Sequence, residues 1–403
     1  MRDSLVRSPI LQGVILTVAL TGIYFATAPK ASWTHDPFTY TVAAWSLGSR
    51  GTLVLQDYAS FLSPEAPPGV IGVVEGAIGP VNVAPPGVVL HAAPIYAIFN
   101  KPIRSASVVG PAGNLVTYPV PPIWPGALVA AVVTAAACGV TFLSLSRLAD
   151  QRSALGGALV LAFATGCWAV SSQALWRHGP TMLWVALGVL WTTPIPSWRS
   201  GAAWIPAILT RPQSVVIPAA IEGYQAIKER RMPSLPQALA PVAGLLALVI
   251  YNRFVFGSWS LLGGFAEGWS ARDPGLDVAG WLANMGFALA HPTRGLLAIS
   301  PFLLMLIPGI PAAWRNAATW VKATALGGVA YFFLQYYLQG YAGGDRYFGY
   351  RYPLESLVAW APLLFLSYRH WVKESRFRQA LFAGGVVIAV ILQAIGVANP
   401  YRF

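Results

Sequence analysis

An acidic residue lies just after the first hydrophobic segment of the chain. The apolar run that starts near Pro9 ends near Ala28, and Asp36 follows within Trp33-Thr34-His35-Asp36-Pro37. If the run crosses a membrane from inside to outside, this carboxylate lies at the outer boundary between lipid and water. A group carried on a lipid can reach it there. Asp36 is therefore the first candidate for proton transfer, although an Asp before Pro37 also suits a helix N-cap.

Cationic and imidazole side chains recur at the ends of later apolar runs, where they could bind an anion or assist a reaction. They are Arg177, His178, Arg294, Arg346 and Arg351. A guanidinium binds phosphate oxygens in a bidentate manner and stays charged at any relevant pH. For two of these arginines the alternative to anion binding is a structural ion pair. Arg346 could pair with Asp345, and Arg351 could pair with Glu355 one helical turn later.

The composition predicts a membrane protein. Of 403 residues, 56% are apolar and only 10% are charged, with a mean hydropathy of +0.58. Such a chain is too apolar for a water-soluble protein of this size. Cys138 and Cys167 both fall within apolar runs, which indicates packing residues and no disulfide framework.

Nine apolar stretches are candidate crossings, and a full span needs roughly 20 mostly apolar residues. They run over 9–28, 124–146, 154–174, 180–194, 238–251, 295–313, 320–338, 353–366 and 380–398. A tenth stretch, 202–224, is interrupted by Arg211-Pro212. Proline removes a helix donor and arginine is costly in lipid, so this stretch is predicted to form a re-entrant hairpin of two half-helices.

Charge supports this topology, because short loops rich in Lys and Arg stay cytoplasmic. With the amino terminus inside, the strongly basic loops around Arg147, Arg199, 228–231, Arg315 and 369–378 all fall on the cytoplasmic side. The net charge of +12 reflects this sorting and does not imply nucleic-acid binding. A cleaved signal peptide ending at Ala26-Thr27-Ala28 is the rival interpretation of the first run. Pro29 and the length of the run argue against it.

The predicted fold class is an all-α polytopic membrane bundle of about nine spans plus one re-entrant hairpin, forming a single domain over 1–403. Its external segments are 29–123, 255–294 and 339–352. Within the first, 37–47 and 88–99 have helical apolar spacing, which predicts two short helices along the outer interface.

Several motifs in order resemble those of bacterial GT-C membrane glycosyltransferases of the polyprenyl-phosphate-sugar-dependent type. They are the acid after the first span, the Pro-Pro-Gly stretch 85–87, Leu209-Thr210-Arg211-Pro212, Asn252-Arg253-Phe254-Val255-Phe256-Gly257-Ser258, Arg294-Gly295-Leu296-Leu297 with Ser300-Pro301, and Gly349-Tyr350-Arg351-Tyr352-Pro353. Together they cover nearly the whole chain.

The resemblance implies sugar transfer on the outer face of the cytoplasmic (inner) membrane, from a polyprenyl-phosphate donor to a glycan, lipid or protein acceptor of the cell envelope. Asp36 is then expected to be the base, and Arg351, Arg346 or Arg294 to bind the donor phosphate. His178, Arg177, Trp33 and Tyr350 are expected to assist or to contact the acceptor, the aromatic rings by stacking on sugar.

The cofactor requirement stays open. Many members of the resembling superfamily carry a second acidic residue in the loop that here holds Arg177-His178, and this sequence has none. A paired-carboxylate metal site is therefore not evident, although a divalent cation is not excluded. No Walker loop, GxGxxG fingerprint, CxxC pair or HExxH helix occurs.

Two other classes of protein remain as alternatives. A transporter or flippase of a lipid-linked sugar would use a similar apolar groove, but no strong internal repeat indicates a transporter built of two halves. A non-catalytic scaffold of an envelope complex is the third class.

Overall fold

The computed structural model describes residues 8–29, 35–61, 72–102, 104–109, 115–192, 197–264, 278–338 and 348–399. The fold is all-α, with two short β-hairpins in the first loop. The α-helices are α1 (Pro9–Thr27), α2 (His35–Arg50), α3 (Gly87–Ile98), α4 (Trp124–Leu145), α5 (Gln151–Phe163), α6 (His178–Trp191), α7 (Trp198–Thr210), α8 (Val216–Glu229), α9 (Leu235–Phe256), α10 (Val278–Ala290), α11 (Leu296–Ile299), α12 (Ile310–Asn316), α13 (Thr319–Leu338), α14 (Leu354–Ser367) and α15 (Arg376–Ala398). The strands are β1 (Val73–Gly76), β2 (Gly79–Asn82), β3 (Arg104–Val109) and β4 (Leu115–Val120).

Four of these helices are long and apolar enough to cross a membrane: α1, α4, α9 from Gln237 onward, and α15. In α4, 67% of the apolar window is buried, whereas the other three bury only 22 to 28% of theirs. Their exposed faces carry large apolar side chains such as Val18, Leu246 and Ile388. An apolar outer surface of this kind suits contact with lipid.

Basic loops converge at one end of the bundle. Arg147 Nη1 donates to Leu190 O over 2.6 Å, Arg369 Nη1 donates to Leu148 O, and Gln12 Nε2 donates to Gln151 Oε1 over 2.9 Å. We call this end of the bundle the basic end. The opposite end, where Asp36 follows α1, is called the site end.

Two predicted crossings are not single helices. The run 154–174 consists of α5, a break at 164–166 and a π-helical turn over Cys167–Ser171. The run 295–313 consists of α11, 3-10 turns over Pro301–Met305 and Ile307–Gly309, and part of α12. Three prolines, at 301, 308 and 311, remove helix donors from the second run. Ser300 Oγ donates to Ala164 O over 2.8 Å and thereby joins the two breaks.

The stretch 202–224 is broken at Arg211, as the sequence indicates. Helices α7 and α8 meet at a 3-10 turn over Pro212–Val215. Both outer ends of the pair contact the start of α9, because Gln237 donates to Ser200 Oγ of α7 and the Ser234 N–H donates to Glu222 of α8. The pair is therefore a helical hairpin whose apex is Arg211-Pro212. Glu222 of α8 pairs with Arg231 at 2.6 Å.

The described part of the first loop contains two hairpins in addition to the two predicted helices. Helices α2 and α3 form as predicted, but α2 is packed inside the fold, with Tyr40, Val42 and Ala44 buried. An added Cβ at Gly48 would collide with the α3 backbone at Ala93, so glycine permits this close packing. The antiparallel hairpins β1–β2 and β3–β4 are not anticipated by the sequence reasoning.

An apolar helix was also missed in the second external segment. Helix α10 packs against α13, where Trp281 Nε1 donates to Phe333 O and Asn284 Nδ2 donates to Tyr336 O, both over 3.2 Å. At 13 residues it is shorter than a typical span.

Candidate active site

Asp36 and Arg351, 315 positions apart in sequence, meet at the site end. Asp36 lies in the first turn of α2, where a negative charge is favourable, and Arg351 lies three residues before α14. Arg351 Nη1 is 3.4 Å from Asp36 Oδ2, and their side chains are 8% and 46% exposed. The pair therefore joins a largely buried cation to a carboxylate that solvent, or a substrate, can reach.

Two aromatic rings hold the Arg351 guanidinium. Its central carbon is 4.8 Å from the ring centroid of Trp176 and 4.9 Å from that of Tyr352. Nη2 also donates to the Tyr352 hydroxyl over 3.2 Å. Rings at this distance attract a cation and restrict its rotamers, so Arg351 is held ready in one orientation.

A second, fully buried polar cluster ties the hairpin apex to α6 and α14. We call Arg211, His178 and Glu355 the buried triad; their exposures are 1%, 2% and 0%. His178 Nδ1 lies 2.9 Å from Glu355 Oε1, and Arg211 Nη1 lies 3.5 Å from the same oxygen. Arg211 Nη2 donates to Gln335 Oε1 of α13. A buried guanidinium needs polar partners, and those of Arg211 lie on α6, α13 and α14. These contacts therefore fix the apex of the hairpin against three helices.

The hydrogen bonds of His178 define its role in the triad. Nδ1 lies 2.9 Å from Glu355 Oε1, and Arg211 Nη1 lies 2.9 Å from Nδ1 and 3.0 Å from Nε2. Each ring nitrogen thus has a partner within the triad. His178 was expected to assist an acceptor, but both of its nitrogens are engaged inside the fold. A positioning role fits this burial better.

Tyr352 connects the Asp36–Arg351 pair to the buried triad. Its ring centroid is 5.6 Å from the Arg211 guanidinium carbon and 6.0 Å from the His178 ring centroid. Through Tyr352, the packing that positions Arg351 depends on the triad beneath it.

The other expected site residues are more distant or lie elsewhere. Arg177 lies with its guanidinium carbon 6.0 Å from the Tyr40 ring centroid. Arg294 lies in the turn before α11, and among the described residues it does not contact the Asp36–Arg351 pair. Tyr350 is 3% exposed and its hydroxyl bonds to Ser300 Oγ at 2.7 Å, which disfavours stacking on a sugar. Trp33 and Arg346 fall outside the described residues.

Sequence reasoning missed three residues of the site: Trp176, Tyr352 and Glu355. Glu355 was considered only as a partner of Arg351, and the structure instead pairs it with Arg211 and His178. The available signal was a carboxylate in the first turn of an apolar helix, which has to find a buried cation.

Metal binding finds no support in the described part of the chain, where no three His, Cys, Asp or Glu side chains come together. Each of the two carboxylates here already faces a guanidinium.

The site thus combines an accessible carboxylate, a cation held by aromatic rings and a rigid polar support. It can accept a proton and bind an anion side by side. No protein-family model matches this chain, and no curated protein matches it.

Proposed function

We propose that the chain is a membrane glycosyltransferase that moves a sugar from a polyprenyl-phosphate donor to an acceptor hydroxyl of the cell envelope. The observation that carries this proposal is the 3.4 Å pairing of Asp36 with Arg351 at the site end. A proton acceptor beside an anion-binding guanidinium is what this transfer requires. The motif order in the sequence supports the same class.

The proposed orientation places the basic end in the cytoplasm and the site end outside. Nine crossings with the hairpin α7–α8 as a re-entrant element bring all the strongly basic loops to one side. The amino terminus is then cytoplasmic, and the donor meets Asp36 at the outer leaflet of the inner membrane.

In the proposed reaction the acceptor oxygen forms a bond to the anomeric carbon of the sugar as the bond from that carbon to the phosphate oxygen breaks. Asp36 takes the proton of the acceptor hydroxyl, and Arg351 stabilises the charge on the departing polyprenyl phosphate. The Asp36–Arg351 ion pair is the state of the proposed enzyme without substrate. A donor phosphate competes for the Arg351 donors and releases the Asp36 carboxylate to act as base.

A flippase for the same lipid is the second candidate, because charged side chains do enter the apolar bundle. The buried triad, however, is closed on itself and lies next to the Asp36–Arg351 pair at the site end. A transport path would need polar groups continuing toward the basic end. Ile217, Val321 and Leu357, on the helices that also surround the triad, instead belong to one buried hydrophobic cluster.

Reconstitution separates these classes. Purified protein in liposomes receives a polyprenyl-phosphate sugar with a fluorescent label, together with envelope acceptor. The proposal predicts labelled product without movement of donor between leaflets. Donor movement without product would identify a flippase, and neither activity would indicate a scaffold.

Arg351→Ala is expected to weaken binding of the donor phosphate by about 10- to 100-fold, which corresponds to one lost charge-assisted interaction of about 1.5–3 kcal/mol. Equilibrium binding of a polyprenyl phosphate measures this loss. The control is Arg199→Ala, which removes a cation from the basic end and should leave the dissociation constant unchanged. Wild-type affinity in Arg351→Ala would show that the donor phosphate binds at another site.

A further inference from the structure

An apolar cleft of about 450 Å³ shares no lining residue with the Asp36–Arg351 pair or the buried triad. Its walls come from α5, α14, α15 and the 3-10 turn Pro301–Met305, and include Leu161, Leu303, Leu357 and Phe365. The volume falls within the range of ligand pockets, roughly 300–1,000 Å³. Apolar walls of this kind suit a hydrocarbon chain.

Three cations line the cleft at the basic end: Arg152, Arg369 and Lys373. None of them forms an ion pair within the part of the chain that the structure describes; Arg369 donates to a backbone carbonyl, Leu148 O. Two carboxylates lie near these cations: Asp150, which accepts from Ser153, and Glu374, which faces Arg378 at 4.0 Å. With Arg378, four cations stand against these two acids. Positive charge is therefore in excess where the cleft reaches the basic end.

The depth of the cleft matches one leaflet. Along α5 its lining runs from Arg152 to Leu161, about 14 Å at 1.5 Å per residue, and half of a hydrocarbon core of about 30 Å is about 15 Å. Near Thr165 the hydrogen bonds of Tyr350 with Ser300 and Gly166 join the surrounding elements. A single acyl chain reaches this depth with its headgroup beside the cations.

We propose that this cleft binds an anionic phospholipid of the leaflet at the basic end, with its phosphate at Arg152, Arg369 and Lys373 and one acyl chain between α5 and α14. Basic pockets between helices on the cytoplasmic side are suited to such headgroups. The sugar donor is disfavoured as the occupant, because the proposed transfer places its phosphate at the site end, beside Arg351. The lipid site itself rests on the cleft and its cations, and only the exclusion of the sugar donor rests on the proposed function.

Gly156 provides a specific way to close the cleft. It lines the cleft, and a Cβ added there would meet no atom within 4 Å. Gly156→Leu therefore fills open space without a backbone clash, and it raises helix propensity. Gly22 in α1 also has open space around an added Cβ, but it does not line the cleft. Gly22→Leu is thus a matched control for the same chemical change.

Native mass spectrometry of the detergent-purified full chain tests the proposal. The probes are phosphatidylglycerol, phosphatidylcholine with identical acyl chains, and undecaprenyl phosphate. The proposal predicts that phosphatidylglycerol binds the wild type at least about tenfold more tightly than phosphatidylcholine, from roughly 1 kcal/mol per cation. Gly156→Leu and the pair Arg369→Gln with Lys373→Gln should each remove most of this binding, whereas Gly22→Leu and Arg199→Gln should keep it.

Three results would overturn the proposal. Equal binding of the two phospholipids would show that the cations select no headgroup. Retention of phosphatidylglycerol by Gly156→Leu would place the lipid on the outer surface and outside the cleft. A loss confined to undecaprenyl phosphate would assign the cleft to a polyprenyl chain. Size-exclusion profiles that match the wild type confirm that the variants are folded.

Discussion

Asp36→Asn is expected to lower the rate of sugar transfer by about 10²- to 10⁴-fold, which is the usual contribution of a general base. Asparagine keeps the size of the side chain but cannot accept the proton of the acceptor hydroxyl. Stability should change by no more than about 1 kcal/mol, because the carboxylate is 46% exposed and its ion pair is screened by solvent. Turnover should fall while donor binding persists, because the Arg351 cation remains.

Two controls distinguish a base from a structural ion pair. Asp57→Asn removes another first-loop carboxylate, which pairs with Arg50 at 2.6 Å and is 36% exposed. It should leave transfer unchanged. The exchange Asp36→Arg with Arg351→Asp restores opposite charges but misplaces both functions, so it should stay inactive. Full activity in Asp36→Asn, or recovery of transfer activity in the exchanged pair, would show that Asp36 is not the base.

Arg211→Met should destabilise the protein by about 3–5 kcal/mol, the usual cost when one partner of a buried ion pair is removed. Glu355 is 0% exposed, so its charge would remain inside the bundle without the guanidinium at 3.5 Å. The hairpin α7–α8 would also lose its bond to Gln335. Chemical denaturation in a fixed detergent, followed by tryptophan fluorescence, measures the loss.

A compensating change tests the physical cause. Adding Glu355→Gln to Arg211→Met removes the stranded charge and should recover a large part of the lost stability. Arg50→Met breaks an exposed pair with Asp57 and should cost about 1 kcal/mol or less. If Arg211→Met were as mild as Arg50→Met, the buried triad would not anchor the hairpin.

The sequence was sufficient for features that depend on local chemistry. Arg211-Pro212 marked the hairpin apex because proline removes a donor and a buried arginine needs partners. The apolar runs located α1, α4, α9 and α15 within a few residues.

Features set by tertiary packing were not accessible in this way. The pairing of Glu355 with Arg211 depends on how α14 meets the hairpin, and nothing near either residue in sequence encodes that contact. Trp176 and Tyr352 hold Arg351 from different elements, one preceding α6 and one preceding α14. A hydropathy profile averages over a window of residues. It therefore did not reveal the helix breaks at 164–166 and around Pro301.

A structure of the full chain in nanodiscs with an undecaprenyl-phosphate sugar tests the central claim most directly. The proposed function predicts the donor phosphate within hydrogen-bond distance of Arg351, with Asp36 facing the anomeric carbon from the acceptor side. A phosphate at Arg152, Arg369 and Lys373, with the Asp36–Arg351 pair still closed, would contradict it.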